Sequence, residues 1–364
     1  APGPSFPGDP ETHSQSVAIM TISGMHADMP PRRLHRSRSG SHRSRPGAGR
    51  LTGRLAAIVA VAVLVLAGCD SGGTPHPADG RQRLTVAALP LTDSAALYLA
   101  RDRGLFAKEG LDVRIQPVQQ SIQALPALLK GQVDVIASAN YVTYLQAYEK
   151  GTLDLRILAE GVRIAPHMMD VLVPKDSALR SPADLAGKKV AVAVLNNIQS
   201  LTLNAILDAR HAGRPVYRQI LFPQMGAALQ RSQVDAVHAV EPFDTAIQGE
   251  LGARVLVDGG SGPANGLPAS GYVTTAAFVK KNPKAAAGFR RAVEAASKLA
   301  AGNPAAVRAE LPKYAKVTAD QAASIHLPAY PPAADPAALR RLVRLMRTQG
   351  LLTKDVDPAP LLVR

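Results

Sequence analysis

Ala127-Leu128-Leu129-Lys130-Gly131-Gln132-Val133-Asp134-Val135-Ile136 is echoed 101 residues later by Ala228-Leu229-Gln230-Arg231-Ser232-Gln233-Val234-Asp235-Ala236-Val237. Each copy reads as a helix end, a polar turn and a buried strand. One such match can arise by chance. Its recurrence at the same helix-to-strand junction of two α/β units makes two similar lobes the simplest reading.

Outward from the first copy, residues 84–89 and 111–115 are short apolar runs, read as buried strands, and 133–137 is a third. Thr92, Asp93 and Ser94 offer caps for a helix that runs to Asp102 and stops near Gly104. Residues 121–130 read as helical, with Pro126 predicting a kink or a later start. Around the second copy, Ser181-Pro182-Ala183-Asp184 is a capping signature with proline at the first helical position. Strands are predicted at 189–194, 216–221, 236–240 and 254–257, and a helix starts near Ile198. Residues 258–268 hold too much Gly and Pro to be regular. The C-terminal third is helical, over 283–301 and again from Asp335-Pro336, with Leu339, Leu342, Val343 and Met346 on one stripe. Strands alternating with helices predict mostly parallel sheets.

The N-terminal part is of another kind. Arg32, Arg33, Arg36, Arg38, Arg43, Arg45, Arg50 and Arg54 precede an apolar run over 55–67, which ends in Leu66-Ala67-Gly68-Cys69. A positive region, a short apolar region and small residues make a secretory signal. The run is shorter than the roughly 20 residues that span a bilayer. Leu-Ala-Gly-Cys resembles a bacterial lipobox, whose cysteine carries a diacylglyceryl group and becomes the mature N-terminus. Two acyl chains would anchor where one holds only marginally. The other reading is a stray cysteine beside an ordinary signal. Residues 1–69 are therefore expected to be a leader, with Met25 or Met29 as alternative starts, and 70–82 a Gly/Pro/Ser tether.

Composition narrows the chemistry. Cys69 is the sole cysteine, so no disulfide, Cys-based metal site or Cys nucleophile is expected in the folded part. The net charge of +14 is partly the leader's, where eight Arg face Asp9, Glu11 and Asp28. The remaining charges are scattered and aromatics are few, which argues against a nucleic-acid partner. His167, His211, His238 and His326 are isolated in sequence and lack metal-ligand spacing, and no metal or other cofactor is expected. No G-x-S-x-G or phosphate-loop pattern is present, so the chain is not expected to be an enzyme.

The segment Tyr98-Leu99-Ala100-Arg101-Asp102-Arg103-Gly104-Leu105-Phe106-Ala107-Lys108-Glu109-Gly110-Leu111-Asp112-Val113 resembles a signature of the extracytoplasmic solute-binding proteins of ABC importers. The similar branch handles nitrate, taurine, aliphatic sulfonates and thiamine-pyrimidine precursors. Gly131-Gln132-Val133-Asp134-Val135, Gln233-Val234-Asp235-Ala236-Val237 leading to Glu241-Pro242-Phe243, and residues 181–192 agree with it. The resemblance implies a two-lobe, type II periplasmic-binding-protein-like fold. Two mostly parallel sheets would be joined by a hinge crossed twice, with lobe one at 84–176 plus 272–364 and lobe two at 177–271. It further implies a small-molecule ligand in the cleft, an ABC permease and its ATPase as partners, an extracytoplasmic place tethered to the membrane by lipid, and a monomer.

Ligands of parallel sheets sit beyond the carboxyl ends of the strands. That rule selects Leu91, Thr92 and Asp93 after the first strand, then Gln119, Gln120 and Ser121, then Ser138, Asn140 and Tyr141. In the second unit it selects Asn196, Asn197, Gln199 and Ser200, with Glu241 after a later strand and Tyr272 near the return crossing. Several of these open helices, whose free N–H groups favour anions, although Asn and Ser there also serve as plain caps. Glu241 could accept from a ligand amine or hold the lobe together. Tyr141, Tyr144, Phe243 and Tyr272 could stack a flat ligand or fill the core. A sulfonate, taurine or nitrate-like anion is the first expectation, a heteroaromatic thiamine-pyrimidine precursor the alternative, and a non-transport sensor lipoprotein a third reading.

Overall fold

The computed structural model describes residues 80–363. The leader, Cys69 and most of the expected tether lie outside the described residues.

The alternating pattern builds ten strands: β1 (Gln82–Ala88), β2 (Leu111–Pro117), β3 (Val135–Asn140), β4 (Leu155–Arg163), β5 (Asp170–Val173), β6 (Lys189–Val192), β7 (Val216–Gln219), β8 (Ala236–His238), β9 (Arg254–Asp258) and β10 (Pro268–Thr275). They form two five-stranded sheets, ordered β2-β1-β3-β10-β4 and β7-β6-β8-β5-β9. Both are mixed: β10 and β5 run antiparallel to both their neighbours, and the other strands share a direction. The reversed strands are where the chain enters from the other sheet. β4 leaves the first sheet at its carboxyl end, so β5 enters the second from the facing end and must run backwards. β9 and β10 repeat this in the other direction.

The crossings therefore fall at 164–169 and 259–267, earlier than the expected boundaries at 176 and 271. Residues 170–173 pair within the second sheet, and 268–271 already belong to the first. β4, β5 and β10 escape the sequence reading; β10 opens on Pro268-Ala269-Ser270-Gly271, small residues without an apolar run.

The sequence echo has an atomic counterpart. Gln132 and Gln233 donate from their backbone N–H to the carbonyls of Ala127 and Ala228, at 2.9 and 3.0 Å. Gly131 and Ser232 both take left-handed φ, 69° and 54°, to make the turn. Asp134 then accepts the Thr85 backbone N–H at 2.7 Å, as Asp235 accepts that of Lys189 at 2.7 Å. Each aspartate locks the start of one strand to its parallel neighbour.

Helices cover the sheets. Gly104, at φ 65°, ends the turn after the helix Ala95–Asp102. The long helix Pro283–Gly302 packs there through Phe289, which stacks on Phe106 at 5.1 Å. In Pro336–Thr348, Asp335 caps the first turn, the predicted apolar stripe is buried, and Arg340, Arg341, Arg344 and Arg347 face solvent. Pro126 marks a later start: the α-helix covers only Leu125–Leu129, after a 3-10 turn at Ser121–Ala124.

Candidate ligand-binding site

The carboxyl ends of the forward strands of both sheets face a partly open cavity of about 70 Å³. At roughly 10–15 Å³ per water, that is room for about five waters, which suits a small solute.

From the first sheet come Asp93, Gln119, Gln120, Ser121, Ser138, Asn140 and Ser270, with the apolar Leu89, Leu91 and Ala269. Asp93 is held by the Ser270 hydroxyl, which donates to its Oδ2 at 2.5 Å. Burial pushes the Asp93 carboxyl above its ordinary range, against the opposing pull of that hydroxyl and of Asp93's own backbone N–H. Ser138, at φ 51°, turns its hydroxyl to that of Ser94 at 2.7 Å. Asn140 accepts the Val142 N–H through Oδ1, capping the helix Tyr141–Glu149, and its amide nitrogen has no partner among the described residues.

From the second sheet come Ala193, Val194, Asn197, Ile198, Gln199, Phe222 and Val240, with Met168 and Met169 on the crossing. Most of these are apolar. The two polar ones are engaged within their own lobe. Asn197 Oδ1 accepts the N–H groups of Gln199 and Ser200 at 3.1 and 3.5 Å. Gln199 accepts from Ala193 N and Asn197 Nδ2 at 2.9 and 3.0 Å, and donates to the His238 carbonyl. Phe222 stacks on Phe243 at 5.7 Å.

The two sides touch. Gln120 Nε2 donates to the Ala193 carbonyl at 2.7 Å in a buried hydrogen bond, and Gln146 Nε2 donates to the Asn196 carbonyl at 3.0 Å.

Of the residues singled out from sequence, Leu91, Asp93, Gln119, Gln120, Ser121, Ser138, Asn140, Asn197 and Gln199 line the cavity. Thr92, Tyr141, Asn196, Ser200, Glu241 and Tyr272 do not. Thr92 is buried and its carbonyl accepts the Tyr330 hydroxyl at 2.9 Å. Ser200 completes the capping box with Asn197, and Asn196 turns away at φ 55°. Tyr141 and Tyr272 are core. Gly271 leaves the space Tyr141 fills, for a Cβ there would lie 1.9 Å from its hydroxyl oxygen. Glu241 accepts from Thr245 N, Thr245 Oγ1 and His326 N at 3.1, 2.7 and 2.9 Å, so its carboxylate holds backbone rather than facing the cavity. The strand-end rule, extended to apolar residues, would have found Ala193, Val194 and Phe222. Ser270 escapes it because β10 runs backwards and presents its amino-terminal half.

The family model for NMT1/THI5-like proteins matches residues 91–307, more than half of the chain. The chain belongs to the NMT1/THI5-like family. A putative thiamine biosynthesis protein of Haemophilus influenzae is 34% identical over 145 residues, 40% of this chain and 45% of that protein. The match thus spans less than half of that relative. The alkanesulfonate-binding protein SsuA of Xanthomonas axonopodis pv. citri, solved with MOPS bound, superposes with a TM-score of 0.66 at 22% identity, over 80% of this chain and all of that one. The desulfurization enzyme DSZB superposes with a TM-score of 0.58 at 18% identity, over 78% of this chain and 96% of that one. The NMT1/THI5-like chain thus has the periplasmic-binding-protein fold, which carries a binding protein in one neighbour and an enzyme in the other.

Proposed function

We propose that this NMT1/THI5-like protein is the solute-binding component of an ABC importer, and that its cleft takes a small amino-heteroaromatic of the aminopyrimidine type. The observation that carries the ligand class is the cavity lining: it holds one carboxyl, the half-buried Asp93, and no Lys, Arg or His. A sulfonate or nitrate would meet that carboxyl without a balancing cation. Helix N-termini offer such an anion little here, because Asn197 and Asn140 already accept N–H groups of their own first turns.

An aminopyrimidine edge sets an N–H donor beside a ring-nitrogen acceptor. A protonated carboxyl sets an acceptor beside an O–H donor, and burial favours that form of Asp93. Phe222, Met168, Met169 and Val240 suit the faces of a flat ring. The proposed delivery route is a permease that reads the closed form, with Cys69 lipidated at the outer face of the membrane.

Thermal denaturation of the full chain against 4-aminopyrimidines, taurine, alkanesulfonates and nitrate tests the ligand class. The expected result is a rise in Tm with an aminopyrimidine alone. A rise with sulfonate or nitrate and none with the pyrimidine would return the site to the anions.

A further inference from the structure

The four histidines of the folded part are far apart in sequence, yet two of them meet at the hinge. His167 lies on the first crossing, and its Nδ1 is 3.0 Å from Asp170 Oδ2 at the start of β5. Its Nε2 is 3.9 Å from Asp258 Oδ2 at the end of β9. The His326 ring stands 5.3 Å from that of His167, centroid to centroid, and its Nδ1 is 3.6 Å from Glu241 Oε1. One donor atom each from His167, Asp170 and Asp258 comes within 4.8 Å of the others. Imidazole nitrogens with carboxylate oxygens are the donor set of zinc and its neighbours in the first transition row.

A second observation is independent of that spacing. Asp170 is 1% exposed, and its Oδ1 is buried with no hydrogen-bond partner among the described residues. The neighbouring Asp244 is likewise buried, with Oδ2 unpartnered. A carboxylate oxygen out of water and without a donor is costly, and a bound cation removes that cost. Among the described residues the ion-pair partner of Asp170 and Asp258 is His167, and His326 stands beside Glu241.

The geometry points to a divalent transition-metal site at the hinge, formed by His167, Asp170 and Asp258 and completed by His326. Tetrahedral donors around zinc stand roughly 3.3 Å apart, so the cluster needs to contract by about an ångström or so. The side chains of His167 and His326 are 46% and 55% exposed, which leaves an ion a way in from solvent. The site would also fasten the two lobes. Asp170 and Asp258 belong to strands of the second sheet. His326 sits on the segment whose Ala329 pairs with Arg163 at the end of β4 in the first.

The test uses the full chain, stripped with chelator and titrated with Zn2+ alone by calorimetry. Co2+ then provides a visible spectrum of the coordination. The expected result is one ion per chain and a raised Tm. His167→Ala should weaken binding at least tenfold, as should Asp258→Asn, while Cys69→Ser leaves it unchanged. His167 is half exposed, and Asn at 258 keeps an oxygen to accept the N–H groups of His167 and Gly260, so both variants should keep the fold. No saturable binding of Zn2+ or Co2+ would overturn the assignment. So would binding that His167→Ala and His326→Ala leave intact. No solute enters the experiment, so its failure leaves the ligand class of the cleft untouched.

Discussion

The two walls of the cleft begin as copies and end as opposites. Under the 101-residue offset that relates the halves, Asn140 corresponds to Glu241. Both hold the first turn of the helix that follows, Asn140 through Val142 N and Glu241 through Thr245 N. Asn140 also faces the cavity, whereas Glu241 is turned to His326 and Thr245. The same division holds across the site. The first wall offers Asp93, Ser121, Asn140 and Ser270, while the second offers Val194, Ile198, Phe222 and Val240, with Asn197 and Gln199 tied into its own backbone. On the proposed function, one wall would recognise and the other cover. Polar substitutions in the first should then change binding, and those in the second should change stability.

Gln199→Ala is the strongest test of that division. The amide holds Ala193 N, Asn197 Nδ2 and the His238 carbonyl, all buried. Leaving three such groups unpartnered at roughly 1–3 kcal/mol each, with some relaxation, should cost about 4 kcal/mol of stability. Asn140→Ala removes one cap and should cost only about 1 kcal/mol. Urea denaturation compares the two directly. A Gln199→Ala protein as stable as its parent would break the contrast.

Acid should separate the halves next. His238 is fully buried in β8, and burial pushes its pKa down to about 4, outweighing the contact with Gln199. Its counterpart under the same offset is Ala137, which does not titrate. A base whose folded pKa lies below its ordinary 6.5 contributes stability that is complete above pH 6.5 and is lost as pH falls towards 4. The shift corresponds to about 3 kcal/mol. Hydrogen exchange at pH 4.5 should therefore open β8 before β3, and His238→Leu should remove the difference. Equal protection of the two strands at that pH would count against it.

Much of this architecture is written locally. The repeated helix-turn-strand junction works because Asp134 and Asp235 must meet a strand N–H wherever that turn is built. The strand-end rule reaches Asp93, Gln120 and Asn140 because those loops follow forward strands. What stays hidden depends on distance. β5 and β10 each run between strands that lie far off in the chain, β8 and β9 for the first, β3 and β4 for the second. Whether Asn197 binds or merely caps cannot be read from its type, since both uses need the same oxygen facing a helix end. His167 and His326 look isolated because they stand 159 positions apart in the chain, while the hinge brings their rings together.

On the recognising wall, Asp93→Leu should weaken aminopyrimidine binding about a hundredfold, close to 2.7 kcal/mol. Stability should hardly fall, because a half-buried acid is removed. Asp93→Asn keeps an acceptor beside a donor and should lose only about tenfold, near 1.4 kcal/mol. Calorimetry on both variants distinguishes a neutral acid pairing with the ring edge from a carboxylate pairing with a charged amine. In the second case Asn would fail as badly as Leu.

The smallest effect belongs to the contact between the walls. Gln120 Nε2 reaches the Ala193 carbonyl, and the neighbouring Ala193 N–H is held by Gln199. A covering wall needs only to be drawn shut, so this hydrogen bond should favour closure without choosing the solute. Gln120→Ala should then weaken every ligand of the cleft by the same factor, about fivefold or roughly 1 kcal/mol, the worth of one ordinary hydrogen bond. Its loss should appear mainly as faster dissociation, because the lobes reopen more readily. Stopped-flow release of two different aminopyrimidines measures this. If one ligand suffered far more than the other, Gln120 would be reading the solute, and recognition would extend to the seam between the walls.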